Sequence, residues 1–102
     1  MAGEIPDGVS IETIWAVEAA YAPDAAERRP AFRAEHLAGI ARLLEAGTMV
    51  AAGAFTDMSG SLMLLRVAEE AEARRLVEAD VYHRSGIWSS YRVRPFGIVK
   101  LG

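Results

Sequence analysis

The sequence predicts an α+β domain in which two helices cover one face of a four-stranded antiparallel sheet. Three observations lead to this fold class. Apolar and polar residues alternate near the N-terminus, a polar turn joins two apolar runs in the middle, and a stretch with helical periodicity lies on each side of that pair. The predicted order is therefore β-α-β-β-α-β, the ferredoxin-like or split βαβ pattern. A chain of 102 residues is long enough for one such domain and too short for two.

The N-terminal segment divides into a tail and a strand. Residues 1–10 contain Gly, Pro and Asp, so we expect a flexible tail there and a single folded domain over residues 11–102. The stretch SIETIWAVEAAY, residues 10–21, alternates between two faces and predicts the first strand. Its second face carries Ile14 and Ala16, so this strand is apolar on both sides.

The first helix is predicted to follow a short separate turn. Pro30 is tolerated in the first turn of a helix and disfavours helix before it, so we expect regular helix over residues 30–46. Asp24 and Glu27 have the spacing of a capping pair at the start of the preceding turn. Gly47 ends the helix. One apolar stripe runs along it, formed by Phe32, His36, Leu37, Ile40, Leu43 and Leu44.

The second half of the chain predicts a hairpin, the second helix and the last strand. The runs TMVAAGAF (residues 48–55) and SLMLLRV (residues 61–67) flank the turn TDMSG and predict a hairpin. The segment AEEAEARRLVEAD, residues 68–80, predicts the second helix. Residues 87–102 predict the last strand, in which Pro95 requires a bulge or an edge position.

The hairpin strands also predict how the domain assembles. A sheet covered on one side only should alternate strictly between apolar and polar residues, but MVAAGAF and LMLL are apolar on both faces. A chain this short has no third layer to cover the second face. We therefore expect a homodimer packed through the sheet face.

The bulk composition excludes several classes of function. A formal net charge of -3 at pH 7 provides no electrostatic reason to bind nucleic acid or an anionic membrane. The chain has no cysteine, which removes disulfides, thiolate catalysis and Cys-ligated zinc. Two histidines at no recognised ligand spacing do not suggest a metal site, and no glycine-rich phosphate motif is present. We expect no cofactor.

The N-terminal composition and the length of the apolar runs bear on location. The stretch MAGEIPDGVS has acids and a proline but neither a basic region nor an apolar region, so it does not resemble a secretory signal. No apolar run approaches the roughly 20 residues that a membrane-spanning helix requires. The absence of cysteine fits a reducing compartment. We expect a cytoplasmic protein.

The stretch EADVYHRSGIW, residues 78–88, concentrates residues that can do chemistry, because Asp80, Tyr82 and His83 lie close together in it. Each has a purely structural alternative. An Asp after a helix commonly bonds nearby backbone N–H groups, and a tyrosine commonly packs with its hydroxyl in solvent. His36 on the first helix is likewise tolerated at the edge of a core, bonded to a carbonyl or to water.

Two segments of the sequence resemble the YciI-like (YCII) family. They read FRAEHLAGIARLLEAGTMVAAGAFTDMSGSLML and ADVYHRSGIWSSYRVRPF, and the similarity extends from Ile11 to about Leu101. The resemblance implies a ferredoxin-like fold assembled as a dimeric α+β barrel, with an active site built around His36 and Asp80. Val81 stands where the family usually has a proline after the aspartate.

The resemblance further implies an enzyme acting on a small molecule by general acid–base chemistry. An aspartate bonded to one ring nitrogen fixes the tautomer of a histidine and stabilises its protonated form, which leaves the other nitrogen free to transfer a proton. Elimination, isomerisation or hydrolysis can use such a pair, and some members of the family dehydrochlorinate a chlorinated aromatic catabolite. Secondary candidates for ligand binding are Tyr82, His83 and Ser85.

Two alternatives stay open from the sequence. The first is a non-catalytic dimer of the same fold that binds a small molecule or is structural. The second is an isomerase or monooxygenase-like relative that uses other pocket residues. An open cavity beside His36 and Asp80 would favour catalysis, whereas a pair sealed by side chains would favour a structural role.

Overall fold

The computed structural model describes residues 4–102, so residues 1–3 of the expected tail lie outside the described residues. The elements in chain order are β1 (Val9–Tyr21), α1 (Ala25–Arg28), α2 (Arg33–Glu45), β2 (Met49–Ala54), β3 (Gly60–Leu65), α3 (Glu70–Ala79), α4 (Val81–Arg84) and β4 (Trp88–Leu101). Within residues 4–102 none of the helices has both the length and the apolar character needed to span a bilayer.

The strands form one antiparallel sheet of four strands in the order β2-β3-β1-β4, with the helices on one side. This confirms the predicted fold class. The long strands β1 and β4 pair along almost their whole length, from Val9 opposite Leu101 to Tyr21 opposite Trp88. β1 therefore begins inside the segment that the sequence analysis treats as tail.

Pro95 lies in β4, which is an edge strand of the sheet. It pairs with Trp15 without any break in register, and the irregularity between β1 and β4 occurs instead at Ala20 and Tyr21. Of the two predicted options, the structure has the edge position. An edge strand tolerates a residue without an N–H because one of its sides has no neighbour to bond.

The first helix begins later than predicted. Pro30 lies in a separate 3-10 turn that links α1 to α2, and regular α-helix starts only at Arg33. Pro30 therefore belongs to the turn that precedes α2 and is not in the first turn of the helix itself. Asp24 is the residue before α1, but its side chain makes no capping hydrogen bond, so the predicted capping pair is not formed. Gly47 follows α2 with a φ of 78°, the left-handed conformation that suits a glycine at this position.

The second helix has a feature that the sequence did not predict. Glu69 and Glu72 form a capping box at the start of α3. The helix begins at Glu70, later than the predicted segment, and ends at Ala79 with Asp80 directly after it. The chain then forms a further helical turn, α4, where only a connecting turn was expected. Asp80 precedes α4 with extended backbone, and its Oδ1 accepts a hydrogen bond of 2.9 Å from the N–H of Tyr82. One residue thus ends α3 and begins α4.

The core lies between the helices and the side of the sheet that they cover. Its buried side chains come from every layer and include Val17, Ala19, Met63, Leu65, Ala73, Val77, Tyr82, Ile87 and Trp88. The opposite side of the sheet carries no helix in the described chain. Ile14 and Ala16 are buried there against neighbouring strands, whereas Phe55 and Phe96 are more than a third exposed. This uncovered apolar face is the surface predicted to pair two copies.

Candidate active site

The centre of the candidate site is the contact between His36 in α2 and Asp80 at the junction of α3 and α4. The Nδ1 atom of His36 lies 2.8 Å from Oδ1 and 2.9 Å from Oδ2 of Asp80. These are ordinary hydrogen-bond distances, so the two side chains are in direct contact. Both side chains are only 11% exposed, so the contact is largely shielded from water.

Asp80 is held from two directions. Oδ1 accepts the N–H of Tyr82 at 2.9 Å as well as the imidazole of His36. The local turn-forming role and the pairing with His36 are therefore compatible, because one carboxylate offers enough acceptor sites for both. The helix-starting bond fixes the carboxylate although the next residue, Val81, lacks the rigid backbone of a proline.

The contact also determines which nitrogen of His36 faces away. An ionised carboxylate only accepts hydrogen bonds, so Nδ1 carries the proton and donates a hydrogen bond to Asp80. Nε2 has no hydrogen-bond partner among residues 4–102, and no side-chain nitrogen or oxygen of these residues is both buried and unpartnered. Nε2 is therefore accessible, and in the neutral ring it is the nitrogen able to accept a proton.

Two aromatic side chains fix the plane of the His36 ring. Tyr82 stacks on it with ring centroids 3.8 Å apart and planes inclined by 6°. Trp88 meets the same imidazole edge-on, with centroids 5.6 Å apart and an angle of 90°. Burial raises the pKa of Tyr82 above its usual range, so its hydroxyl stays protonated and able to donate at neutral pH.

His36 lines an open cavity of about 160 Å³. The cavity lies between the start of α2 and the covered side of the β2–β3 hairpin. Its walls are apolar with a few polar groups, as is usual for small-molecule sites. The lining residues are Tyr21, Arg29, Arg33, His36, Leu37, Ile40, Ala52, Gly53, Ala54, Ser61, Met63, Tyr82 and Trp88.

The cavity is electropositive. Arg29 and Arg33 line it, and neither has an ion pair with another residue of the described chain. No Asp or Glu is among the lining residues. These arginines are not among the site residues predicted from the sequence, although Arg33 and His36 have the three-residue spacing that places two side chains on one side of a helix.

The structure does not bring all the sequence candidates to the cavity. Tyr82 lines it, but His83 and Ser85 do not. The ring of His83 packs edge-on against Tyr91 at 5.7 Å, and Ser85 Oγ donates to the carbonyl of Val81 at 2.7 Å. Both side chains point elsewhere because α4 turns the chain after Tyr82. Within residues 4–102 no cluster of three or more His, Cys, Asp or Glu side chains is arranged to hold a metal ion.

Comparison with known proteins identifies related sequences and folds. The sequence model of the YCII-related domain matches residues 13–97. A solved structure of 5-chloro-2-hydroxyhydroquinone dehydrochlorinase from Burkholderia phenoliruptrix, in complex with 2,5-dihydroxybenzoquinone, superimposes with a TM-score of 0.72. That alignment covers 81% of this chain and 92% of the other at 20% sequence identity, so it establishes a shared fold. No curated protein matches the chain significantly.

Proposed function

Since the chain belongs to the YCII-related domain family, we propose that it is an enzyme acting on a small molecule, with His36 as the proton-transfer group and Asp80 as its orienting partner. One observation carries the proposal. The imidazole that donates to Asp80 at 2.8 Å also lines an open cavity of about 160 Å³. An acid–base group needs both a fixed tautomer and access to substrate, and His36 has both.

The proton follows a simple path in this proposal. Asp80 holds the proton on Nδ1, so the lone pair of Nε2 is available to the cavity. When Nε2 accepts a proton from the substrate, the ring becomes an imidazolium, and the carboxylate stabilises the new positive charge. The proton returns to the leaving group, to product or to water, which restores the neutral ring.

Elimination is the reaction class that we favour. In that reaction Nε2 removes a proton, the released electron pair forms a new double bond, and the leaving group departs with its own bonding pair. No oxidant, reductant or cofactor is needed. The dehydrochlorinase of the same fold is named for such a step. Isomerisation needs the same group to return the proton at a second position, and hydrolysis needs it to activate water.

The size of the cavity limits the ligand. An apolar cavity of about 150 Å³ holds one benzene molecule. The cavity beside His36 has about 160 Å³ and opens to solvent. We therefore propose a substrate with one six-membered ring or a group of similar size, whose substituents extend through the opening.

We also propose that two copies of the chain associate through the uncovered sheet face. Leu62 and Leu64 are half-buried there, and Phe55 is 45% exposed beside them. A second copy would remove these apolar side chains from water. The cytoplasmic location expected from the sequence remains part of this proposal.

A non-catalytic dimer that binds a small molecule is the second candidate. The observation that favours it is the hydrogen bond from the N–H of Tyr82 to Asp80, because that contact would keep the aspartate in place without any chemistry. In this alternative His36 forms part of the wall of a binding pocket and transfers no proton.

Chloride release separates the two candidates. We expect the native chain to release chloride from chlorinated hydroquinones, and His36→Asn to be slower by about 10²–10⁴-fold because general base catalysis is lost. His83→Asn is the matched control, because its ring lies against Tyr91 and away from the cavity. Equal rates for the native chain and His36→Asn would overturn the proposal. Ligand binding without turnover of any tested chlorinated ring would favour the binding protein.

A further inference from the structure

We propose that Tyr21, Arg29 and Arg33 form a subsite of the cavity that binds an acidic oxygen of the ligand, as a carboxylate or as a ring phenolate or enolate. The inference deepens the proposed function, and it rests on that function for the identity of the reacting group. It identifies the substrate as a small anion rather than a neutral ring. A hydrogen-bond chain that ends at Tyr21 and two arginines without an ion pair in residues 4–102 support this subsite.

The hydrogen-bond chain begins at Trp88. Indole nitrogen can only donate, so Trp88 Nε1 donates to Ser61 Oγ at 3.2 Å. Ser61 is 95% buried and its hydroxyl then donates onward to Tyr21 Oη at 3.2 Å. The first step can run only this way, because an indole N–H only donates, and in the second step the Ser61 hydroxyl donates to the phenol oxygen.

The hydrogen-bond chain ends at the phenol of Tyr21, whose O–H is still free to donate. Tyr21 Oη accepts from Ser61 and is also approached at 3.4 Å by Nη1 of Arg29, which can only donate. These two donors use the lone pairs of the phenol oxygen. The O–H proton of Tyr21 can then donate a hydrogen bond to a ligand, because Tyr21 lines the cavity. The cavity thus receives a hydrogen-bond donor whose orientation is set by buried groups.

The arginines of the subsite differ from most others in the chain. Ion pairs with carboxylates are made by Arg28, Arg66, Arg74, Arg84, Arg92 and Arg94. Arg29 and Arg33 make none within residues 4–102, although both line the cavity. Arg29 instead lies with its guanidinium carbon 5.7 Å from the ring centroid of Tyr21, which keeps the cation at the cavity wall.

The rest of the cavity offers no compensating negative charge. Both arginines act electrostatically on the hydroxyl of Tyr82, so their charges reach the part of the cavity beside His36. Burial of Tyr82 outweighs them and raises its pKa, and its hydroxyl stays a donor. Asp80 lies behind His36 and is not part of the cavity wall. A wall that carries donors and cations but no carboxylate favours an anionic oxygen over a neutral or cationic group.

Calorimetry with three probes tests the charge that the subsite selects. Benzoate presents a carboxylate, 2,5-dihydroxybenzoquinone presents an acidic ring oxygen, and benzamide has the shape of benzoate without its charge. We expect one or both anions to bind at least about tenfold more tightly than benzamide, and the tighter anion distinguishes carboxylate from ring oxygen. Equal affinity for all three, or no binding in the millimolar range, would overturn the inference.

Substitutions then test which residues carry the selectivity. We expect Arg33→Gln to weaken binding of the preferred anion about tenfold and to leave the affinity for benzamide unchanged. Arg75→Gln is the matched control, because Arg75 is also exposed and makes no ion pair with another described residue, but lies away from this cavity. Tyr21→Phe should also weaken binding of the anion, whereas Tyr91→Phe should leave it unchanged. Identical affinities in Arg33→Gln and Arg75→Gln would count against the subsite.

A variant of the reacting group separates this inference from the proposed function. Anion affinity that survives His36→Asn supports the subsite whatever happens to turnover. If the anion no longer binds to His36→Asn, the imidazole is the group that binds the negative charge of the ligand, and the subsite is overturned. Circular dichroism of each variant checks that the fold is retained.

Discussion

The imidazole of His36 and the phenol ring of Tyr82 lie parallel, 3.8 Å apart between centroids. The two residues come from α2 and α4, elements separated by the whole hairpin and α3. The stack covers one side of the imidazole, and Asp80 holds its edge. His36 therefore has a single orientation, with Nε2 directed away from the carboxylate.

The stack predicts a difference between two substitutions of Tyr82. Tyr82→Phe keeps a ring against the imidazole and should retain most of any turnover, whereas Tyr82→Leu removes the stack and should lower it about tenfold or more. Chloride release, normalised to folded protein, measures this. A leucine variant as active as the phenylalanine variant would show that Asp80 alone orients His36.

The two roles of Asp80 can be separated by choice of substitution. Asn caps a helix about as well as Asp, so Asp80→Asn should unfold at nearly the native urea concentration. Asp80→Ala loses the bond to Tyr82 N–H and should be less stable by about 1 kcal/mol. Asp80→Ala also leaves Nδ1–H without an acceptor and should lose the Nδ1–H tautomer of His36, which ¹⁵N NMR detects. A native tautomer in Asp80→Ala would contradict the proposed orienting role.

Tyr82 predicts how stability depends on alkaline pH. Burial raises the pKa of Tyr82 in the folded chain, whereas in the unfolded chain it loses its proton at about pH 10. Above that value the unfolded state binds fewer protons than the folded state, so the free energy of unfolding falls as pH rises. Below it this effect is absent. Urea unfolding at about pH 8 and about pH 10.5 should show a smaller decrease for Tyr82→Phe than for the native chain.

Gly60 predicts a local steric limit at the start of β3. A Cβ added at Gly60 would lie 2.3 Å from the carbonyl oxygen of Ala19, a backbone atom that cannot rotate away. Gly60→Ala should therefore cost about 1–3 kcal/mol of stability. Gly53→Ala is the control, because nothing lies within 4 Å of a Cβ there. Equal urea midpoints for the two variants would refute the steric argument.

The uncovered sheet face predicts the assembly in solution. Sedimentation of the native chain should report a dimer or larger. Leu64→Glu places a charge on that face and should shift the distribution towards a monomer of 11.0 kDa. Arg75→Glu changes charge on the helical surface and should leave it unchanged. A native chain that sediments as a stable monomer would exclude pairing through the sheet.

Much of the fold follows from local patterns in the sequence. Alternation in β1, the apolar runs around a polar turn, and the glycine after α2 each depend on residues within one turn or strand of each other. Those short-range rules correctly predict the order of the elements. The roles expected for His36 and Asp80 came from resemblance to a family, because their side chains are 44 positions apart.

The exact helix boundaries depended on more than local pattern. The sequence predicts a helix that begins at Pro30, but the chain forms a 3-10 turn there before α2 begins. The additional turn α4 was not predicted from its four residues. Val81 and Tyr82 are buried in the core, and this burial together with the cap from Asp80 stabilises a helix too short to persist alone.

Only the tertiary structure decided what surrounds His36. Tyr21 and Ser61 bond because β1 and β3 pair in a register that places Ala19 opposite Ser61. Arg29 reaches the same phenol because the 3-10 turn directs it there. Periodicity reports which side of an element faces the core, but hydrogen bonds across the cavity require the relative positions of separate elements. Those positions are set by side-chain packing and strand register, which connect residues far apart in the sequence.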